Sequence, residues 1–311
     1  PYTRGSERYR PADEIVGEIQ GLVAGGVREV TLLGQTVNSW HEPGAAAEAA
    51  KAESKTAVSS SQFAELLRRI AREVPDLMRL RYTSPHPRHI TPALVDAHAG
   101  LDVLPAHVHL PVQSGSDRLL RRMARRYTAE DYITRTDALK RAKPGLTLSS
   151  DFIVGFPGET EDDFEQTLEL VRRVGFVAAF AFKYSPRPYT PALKLGDEVS
   201  EEVKDERLAR LFALVEIQQQ AHLHSLVGQE LTVLVEGPSP GDTGRFAGRS
   251  ERNEIVHLIA PEGTDPTGEL VTVTIDEPFR HSLSGCMIGA EGGRVPARRT
   301  RLSVVDGGGA S

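Results

Sequence analysis

The sequence predicts an α/β protein, in which a partial, open parallel barrel or a doubly wound sheet is followed by a small antiparallel β-barrel. Five apolar stretches of strand length alternate with segments of helical periodicity, and a polar or glycine-bearing loop follows each of them. Strands that are separated by helices pair in parallel, and five are too few to close an eight-stranded barrel. After Gly228 the hydrophobic period changes to two, which is typical of short antiparallel strands.

The first part of the chain is predicted to alternate helix and strand. A helix begins at Pro11, carries Ile15, Ile19 and Leu22 on one face, and ends at Gly25. The predicted strands cover residues 27–33, 78–82, 103–110, 146–154 and 177–184, and further helices begin near residues 63, 92, 117, 128 and 161. The loops that follow the strands should therefore meet at one edge of the sheet.

The remainder of the chain divides by composition. A helix over residues 201–226 is followed by alternating strands over 230–236, 254–259 and 269–275, which predict the small barrel. Residues 42–61 lack apolar periodicity and predict a mobile insertion, and residues from 291 onward predict a flexible tail. We therefore expect domains at 1–226 and 227–290, with the tail at 291–311.

Composition excludes several classes of protein. The chain has no run of about 18 apolar residues and no signal-peptide pattern, so we expect a cytoplasmic protein with no membrane partner. The net charge of −6 argues against a surface coated with basic residues, and each local arginine cluster, such as that at 118–126, favours a solvated face. A single cysteine, Cys286, excludes an internal disulfide and a cysteine-rich metal site made by this chain alone.

The most specific local signal covers residues 149–164. An apolar strand runs into a glycine turn at 155–158, and Thr160 with Asp163 fits a capping box that opens a helix. Such a turn leaves backbone N–H groups that can meet a ligand, although an ordinary strand-to-helix turn has the same pattern. Within the strand, Asp151 is costly unless it has a partner, which could be a pair of ribose hydroxyl groups or a neighbouring loop N–H.

Other candidate chemistry is weaker. No His-Glu-x-x-His, P-loop or Gly-x-Ser-x-Gly motif is present. His107 and His109 alternate on a predicted strand without a carboxylate at ligand spacing, which favours a structural role over a metal site.

Five runs of residues, in order along the chain, resemble one known family. They are Pro1-Tyr-Thr-Arg-Gly, Leu33-Gly-Gln-Thr-Val-Asn-Ser, His109-Leu-Pro-Val-Gln-Ser-Gly-Ser-Asp, Ser149-Ser-Asp-Phe-Ile-Val-Gly-Phe-Pro-Gly-Glu-Thr and Tyr184-Ser-Pro-Arg-Pro-Tyr-Thr-Pro-Ala. From Pro1 to about Ile288 the chain resembles the radical S-adenosylmethionine methylthiotransferases, and among them it is most similar to those that modify tRNA.

The resemblance implies a partial (β/α)6 radical-SAM barrel, here without its first strand, and a TRAM-like β-barrel that binds RNA. It implies a parent enzyme that adds a methylthio group at C2 of isopentenylated adenosine next to the anticodon. The implied cofactors are S-adenosylmethionine and two 4Fe-4S clusters, of which the one in the barrel cleaves S-adenosylmethionine reductively to give the radical. The implied partners are the tRNA anticodon loop and a reductant such as flavodoxin or ferredoxin, and we expect a monomer.

The resemblance also implies which residues surround S-adenosylmethionine. They are Gly34, Gln35 and Asn38 at its methionine end, Gln113, Ser114, Ser149, Asp151, Gly155, Phe156 and Pro157 around its ribose and adenine, and Arg187 at a carboxylate of the cofactor or a phosphate of the RNA. In the small barrel the implied RNA contacts are Arg245, Phe246, Arg249, Arg252 and Asn253, which combine charge for phosphate with a ring for a base. A polar hairpin without ligand is the alternative there.

The sequence departs from the family in one respect. The family's Cys-x-x-x-Cys-x-x-Cys loop, which binds the radical-generating cluster, is absent, and Cys286 matches none of its positions. Because thiolates hold such clusters, we expect no iron–sulfur cluster and no catalytic activity in the chain as given. The open alternatives are a sibling enzyme acting on threonylcarbamoyladenosine in tRNA or on a ribosomal protein aspartate, a non-catalytic RNA-binding fragment, and a parallel-barrel enzyme for a phosphorylated metabolite.

Overall fold

The computed structural model describes residues 9–43, 61–186, 192, 195–196, 198–240 and 244–288. The first domain alternates helix and strand, as predicted. Its strands are β1 (Glu29–Leu32), β2 (Arg79–Tyr82), β3 (His107–His109), β4 (Thr147–Val154) and β5 (Ala178–Lys183). Its helices are α1 (Ala12–Ala24), α2 (Gln62–Glu73), α3 (Pro92–Gly100), α4 (Asp117–Arg122), α5 (Ala129–Ala142) and α6 (Glu161–Val174), and α7 (Glu201–Ser225) leads to the second domain.

All strand pairs of the first domain that the structure describes are parallel. One ladder joins β1 to β2, and a second has the order β3-β4-β5. A hydrogen bond of 2.8 Å from Leu80 N–H to Val103 O connects β2 to the segment before β3. The third strand is shorter than predicted because Leu104 N–H bonds Leu101 O in a turn and Pro105 has no N–H to give to a ladder.

The strands have two unlike faces. Their outer face carries fully buried side chains such as Leu80, Leu148 and Phe152, which form one core with the helices and with the first half of α7. The other face, called the inner face below, carries polar side chains and two exposed rings, Phe180 at 56% and Phe182 at 58% exposure. Because the helices pack on the outer face, the sheet is an open barrel and not a doubly wound sheet.

The second domain is a closed five-stranded barrel with the order β10-β8-β7-β6-β9. Its strands are β6 (Glu230–Pro238), β7 (Phe246–Ser250), β8 (Ile255–Ile259), β9 (Leu270–Pro278) and β10 (Ser282–Met287). The predicted closed barrel is confirmed, with one difference: β8 and β10 pair in parallel, while the other pairs are antiparallel.

The sequence pattern missed β7 and β10 because glycine interrupts the apolar alternation in both. Gly248 lies so close to the neighbouring strand that a Cβ there would meet Leu234 O at 2.3 Å, and a Cβ on Gly285 would meet Thr274 O at the same distance. These glycines permit the close strand approach that closes the small barrel.

The small barrel packs against the amino ends of the parallel strands. Arg79, which is 3% exposed, donates to Arg249 O at 2.6 Å and to Thr232 O at 3.1 Å. Before β4, Gly145 O accepts from Arg252 Nε at 2.9 Å. The carboxyl ends of the strands lie at the opposite edge of the sheet, where the loops with the family motifs begin.

Some predictions fall on residues that the structure does not describe. These are most of the insertion (44–60), the tail (291–311), Arg187 and the opening run of five residues. The predicted domain limits also stay a prediction. Across the described ranges, no helix has the length and apolar character that crossing a membrane requires.

Candidate cofactor site

The loops after β1 and β2 are tied together by one side chain. The amide of Asn38 donates to His86 O at 3.0 Å and accepts from His86 N–H at 2.8 Å. Asn38 is 4% exposed. The structure therefore uses the Asn38 amide to hold two loops of the carboxyl edge in register.

Gly34 and Gln35 open onto a different space. They border a groove of about 880 Å³ between α1 and β1, whose walls include Ile15, Leu22 and Leu32. The first motif loop thus faces a groove beside β1 that Asp151 does not line.

A chain of hydrogen bonds runs along the inner face between β3 and β4. His107 contacts Thr147 Oγ1 through Nδ1 at 3.0 Å and Ser149 Oγ through Nε2 at 3.1 Å. His109 contacts Ser149 Oγ through Nδ1 at 2.9 Å and Asp151 Oδ1 through Nε2 at 3.3 Å. Burial lowers the pKa of His107 to about 3, so this ring is neutral at physiological pH.

This chain has two self-consistent proton arrangements. If Thr147 donates to Ala106 O or to Arg252 O, each at 3.3 Å, the donors along the chain point toward Thr147. If Thr147 donates to His107 instead, the donors point toward Asp151. In both arrangements Ser149 Oγ donates to one histidine and accepts from the other.

The loop after β3 brings Gln113 to the same strand. Gln113 N–H donates to Asp151 O and Gln113 O accepts from Ile153 N–H, both at 2.9 Å, with a positive φ of 76° at Gln113. Ser114 differs, because it is fully buried and its Oγ lies 3.3 Å from Thr167 Oγ1. Ser114 therefore holds the loop against α6, while Gln113 stays at the carboxyl edge.

Charged side chains of α7 pack against the loop after β4. Gly155, at φ 72°, donates its N–H to Glu159 Oε2 at 2.7 Å, and Arg207 Nη1 lies 2.9 Å from the same oxygen. Burial raises the pKa of Glu159, although Gly155 N–H and Arg207 favour its ionised form. A Cβ on Gly155 would meet Lys204 Cγ at 2.3 Å, so only glycine fits against the lysine stem.

Phe156 and Pro157 complete this loop and are both buried. The ring of Phe156 packs edge-on against that of Tyr184, with centroids 5.2 Å apart. The helix that follows begins with the predicted capping box of Thr160 and Asp163, which is confirmed. Burial alone would raise the pKa of Asp163, but hydrogen bonds from Arg118, Ser116 and Thr160 hold it well below its ordinary value.

The inner face therefore brings together part of the predicted set. Ser149 and Asp151 lie on it, Gln113 bonds the Asp151 backbone, and the Gly155 turn follows at the end of the same strand. Sequence reasoning missed Phe180, whose ring lies 5.8 Å from that of His109, and Phe182, one position further along the same face. Their two-residue spacing in one predicted strand places both rings on the same face of that strand, but the sequence does not show that this face is the one that carries Asp151.

This face suits a nucleoside. Asp151 contacts His109 through one oxygen while its side chain stays 30% exposed, so the carboxylate can accept hydroxyl hydrogen bonds. The exposed rings of Phe180 and Phe182 offer stacking surface for a base. These residues therefore fit the ribose and adenine of S-adenosylmethionine.

A 4Fe-4S cluster does not fit the residues of this chain. Such clusters are held by several thiolates, and the chain has one cysteine. Cys286 lies on β10 of the small barrel, with Sγ 3.3 Å from Asp276 Oδ2. Within the part of the chain that the structure describes, no group of three His, Cys, Asp or Glu side chains is placed to hold a metal ion.

The five predicted RNA contacts of the small barrel each touch the protein itself, and their role in binding RNA stays a prediction. Arg245 donates to Ser284 Oγ, Phe246 packs on the barrel core, Arg249 pairs with Glu236 and bonds Asn253, and Arg252 bonds Gly145 O. Arg249 and Arg252 lie where the small barrel meets the amino ends of the strands. They are at the edge opposite to the Gly155 loop.

Comparison with known proteins identifies the family of this chain. The family model of the radical SAM superfamily matches residues 1–171, and that of the TRAM domain matches residues 224–288. A tRNA-2-methylthio-N(6)-dimethylallyladenosine synthase of Sorangium cellulosum is 59% identical over 96% of this chain and 61% of its own length. A synthase of the same name from Acidithiobacillus ferrooxidans is 45% identical over 92% of this chain and 60% of its own length.

The chain thus spans about 60% of the length of these curated relatives. A solved structure, that of the radical SAM enzyme coproporphyrinogen III oxidase from Escherichia coli, covers 78% of this chain and aligns over 60% of its own length, with a TM-score of 0.46 and 14% identity. That superposition is too loose to add to the family match. The predicted resemblance is confirmed by the two family models and by the identity to the synthases. This chain belongs to the radical SAM superfamily, whose members use S-adenosylmethionine and a 4Fe-4S cluster.

Proposed function

We propose that this chain is the part of a tRNA methylthiotransferase that holds S-adenosylmethionine and contacts tRNA. The parent enzyme replaces the hydrogen at C2 of isopentenylated adenosine, next to the anticodon, by a methylthio group. The observation that carries this proposal is the 59% identity to a tRNA-2-methylthio-N(6)-dimethylallyladenosine synthase over 96% of the chain. The single cysteine means that the cluster chemistry depends on residues outside this sequence.

The residues that would hold S-adenosylmethionine lie on the inner face and at its carboxyl edge. Asp151 would accept the ribose hydroxyls, Phe180 and Phe182 would contact the adenine, and Gln113 and the Gly155 loop would form the wall beside them. When bound there, the cofactor would supply the methyl group and, after reductive cleavage by the cluster, the deoxyadenosyl radical that takes the hydrogen from C2. The enzyme is further proposed to be a cytoplasmic monomer that receives electrons from flavodoxin or ferredoxin.

Calorimetric titration of the chain with S-adenosylmethionine tests the cofactor part. Asp151→Asn should weaken binding by about 10-fold or more, because the amide replaces one of the two acceptor oxygens of the carboxylate by an NH2 donor. Asp162→Asn, an exposed carboxylate whose partner is Gln166, is the matched control and should bind as the parent chain does. Equal affinity in both variants would remove Asp151 from the site.

The activity is tested on the chain joined to the cluster-bearing N-terminal part of the Sorangium relative, with the cluster reconstituted. Nucleoside mass spectrometry of tRNA that carries isopentenyladenosine should show one methylthio group in place of hydrogen. Modification of threonylcarbamoyladenosine tRNA or of a ribosomal protein aspartate instead would move the chain to a sibling enzyme. A cofactor-dependent product from none of the three substrates would reject the methylthiotransferase proposal.

A further inference from the structure

Five arginines gather beside the carboxyl edge of the sheet. They are Arg88, Arg122, Arg125, Arg126 and Arg135, called the arginine patch below. None of them forms an ion pair with any residue in the described ranges, whereas Arg118 in the same stretch is paired with Asp163. The patch is therefore a net positive surface, in which Arg135 is near the carboxylate of Asp131.

Two contacts show where the patch lies. His86, in the loop after β2, packs edge-on against Tyr127 with ring centroids 5.4 Å apart, which places the Arg125–Arg126 turn beside that loop. The Arg122 guanidinium lies against Gly158, where an added Cβ would meet Nη2 at 3.1 Å. The patch thus lies beside the loops after β2 and β4.

The backbone fixes this geometry. Helix α4 ends in a Schellman-type turn, in which Arg125 N–H bonds Leu120 O at 2.8 Å and Ala124 N–H bonds Arg121 O at 3.0 Å. Ala124 has a positive φ of 58°, a conformation usually left to glycine. This sharp turn directs the chain from Arg122 to Arg125 and Arg126 along the carboxyl edge.

The patch also holds unsatisfied donors. Arg122 Nε and Arg135 Nη1 are buried and have no hydrogen-bond acceptor among the described residues. The nearby carboxylates have other partners: Glu130 pairs with Arg173, and Asp117 accepts from Ala129 N–H. Asp131 accepts from Thr128 N–H and also interacts electrostatically with Arg135. The exposed arginines of the patch, Arg88 and Arg126, have no ion-pair partner among the described residues and can bind phosphate oxygens in a bidentate manner.

We propose that the arginine patch binds the phosphate backbone of the RNA whose base enters the inner face of the partial barrel. This inference rests on the proposed function, because that function supplies RNA as the substrate. It places the contacts to the RNA phosphate backbone at the carboxyl edge, where the base must enter the partial barrel. Arg249 and Arg252 of the small barrel lie at the amino edge and contact the protein itself.

The test is binding of an unmodified tRNA transcript to the chain, measured by fluorescence anisotropy over a series of salt concentrations. The double variant R125A/R126A should bind about 10-fold more weakly, and the slope of log K against log salt should fall in magnitude by roughly 1.5, since each lost phosphate contact removes about 0.7 to 0.9. R125K/R126K should keep most of the slope because it keeps the charge. Arg88→Ala, at an exposed position of the patch, gives an independent second variant.

R72A/R172A is the matched control, because it removes the same charge from exposed arginines of α2 and α6. If the control and R125A/R126A lose affinity equally, net charge explains the effect and the patch is rejected. If tRNA binds and neither R125A/R126A nor R88A changes the affinity or the slope, the patch is rejected while the proposed function stands.

Two further outcomes bear on the partner. If the unaltered chain binds no tRNA at all, both the patch and the tRNA part of the proposed function are rejected. If heparin or duplex DNA binds as tightly as tRNA and with the same dependence on Arg125 and Arg126, the assignment to RNA is overturned in favour of a general polyanion surface.

Discussion

At the residue scale, the positive charges at the carboxyl edge affect the protonation of His86. Burial and the positive charges of Arg125, His89, Arg88 and Arg135 lower the pKa of His86 to about 4. Because this pKa lies below the ordinary value of 6.5, the unfolded chain binds the proton more readily. The stability of the fold should therefore fall as the pH decreases from about 6.5 toward 4.

Arg125→Ala should raise the pKa of His86. Removal of the positive charge favours the imidazolium, while burial, the larger cause, keeps the pKa below 6.5. The measurement is an NMR titration of the His86 ring Cε1–H signal. Arg172→Ala, on the outer surface of α6, should leave the His86 titration unchanged, and an equal shift in both variants would contradict the local charge argument.

Ser149 is the central member of the hydrogen-bond chain on the inner face. Ser149→Ala should lower the free energy of unfolding by about 1–3 kcal/mol, because it leaves partly buried nitrogen atoms of His107 and His109 without their hydroxyl partner. Urea denaturation at neutral pH measures this loss. Ser225→Ala, an exposed serine at the end of α7, should change stability by no more than about 0.5 kcal/mol. Equal stability in both variants would mean that water replaces the Ser149 hydroxyl.

At the scale of secondary-structure elements, α7 supports the loop after β4 through one buried ion pair. The side chains of Arg207 and Glu159 are 5% and 2% exposed, and Glu159 also accepts from Gly155 N–H. A buried pair is expensive to break, because the remaining charge has no compensation. This ion pair therefore fixes the Gly155 turn beside the candidate cofactor site.

Arg207→Ala should destabilise the fold by about 3–5 kcal/mol near neutral pH. Loss of the guanidinium raises the pKa of Glu159 further, and a raised carboxyl pKa means that the folded state binds the proton more readily. The destabilisation should therefore shrink as the pH falls toward the ordinary carboxyl value of 4.5. Thermal unfolding at several pH values measures it, and R207A/E159Q, which removes both charges, should be more stable than Arg207→Ala. A loss that does not change with pH would contradict the buried-charge explanation.

The sequence predicts helices and strands well where the hydrophobic pattern and the capping residues indicate the same structure. The capping box at Thr160 and the order of helix and strand follow from short-range chemistry. Asp151 could be singled out because a carboxylate in an apolar strand is visible in sequence. Phe180 could not, since its place beside His109 depends on the register between strands that are distant in the chain.

The same reason explains the residues that the motifs singled out but the structure uses elsewhere. Asn38 and Ser114 occur in the expected loops, yet their partners are His86 and Thr167. A motif gives the residue type at a position but not the direction of its side chain. Only the packed loops reveal whether an amide or a hydroxyl faces a ligand or the protein.

At the scale of the whole molecule, the small barrel closes the amino end of the inner face. Burial lowers the pKa of Arg79, whose guanidinium lies 3.7 Å from Glu29 and donates to two carbonyls of the second domain. Arg81 Nη2 reaches Ser250 O at 3.4 Å. Two neighbouring arginines of β2 thus join the domains through backbone carbonyls.

This arrangement predicts that Arg79 couples the unfolding of the two domains. Arg79→Met removes both donors and leaves Thr232 O and Arg249 O without them, so the interface should weaken by about 1–3 kcal/mol. The chain has one tryptophan, Trp40, and its indole N–H bonds Arg10 O in the first domain. Trp40 fluorescence therefore reports on the first domain, and hydrogen exchange of the β7 amides reports on the second.

In the unaltered chain both probes should give the same urea midpoint, while in Arg79→Met the two midpoints should separate. Arg72→Met, an exposed arginine on α2 paired with Glu73, should keep them together. Coincident midpoints in Arg79→Met would show that α7 and its contacts to the β9–β10 hairpin suffice to couple the domains. A separation would identify Arg79 as the link between the small barrel and the sheet that carries the cofactor site.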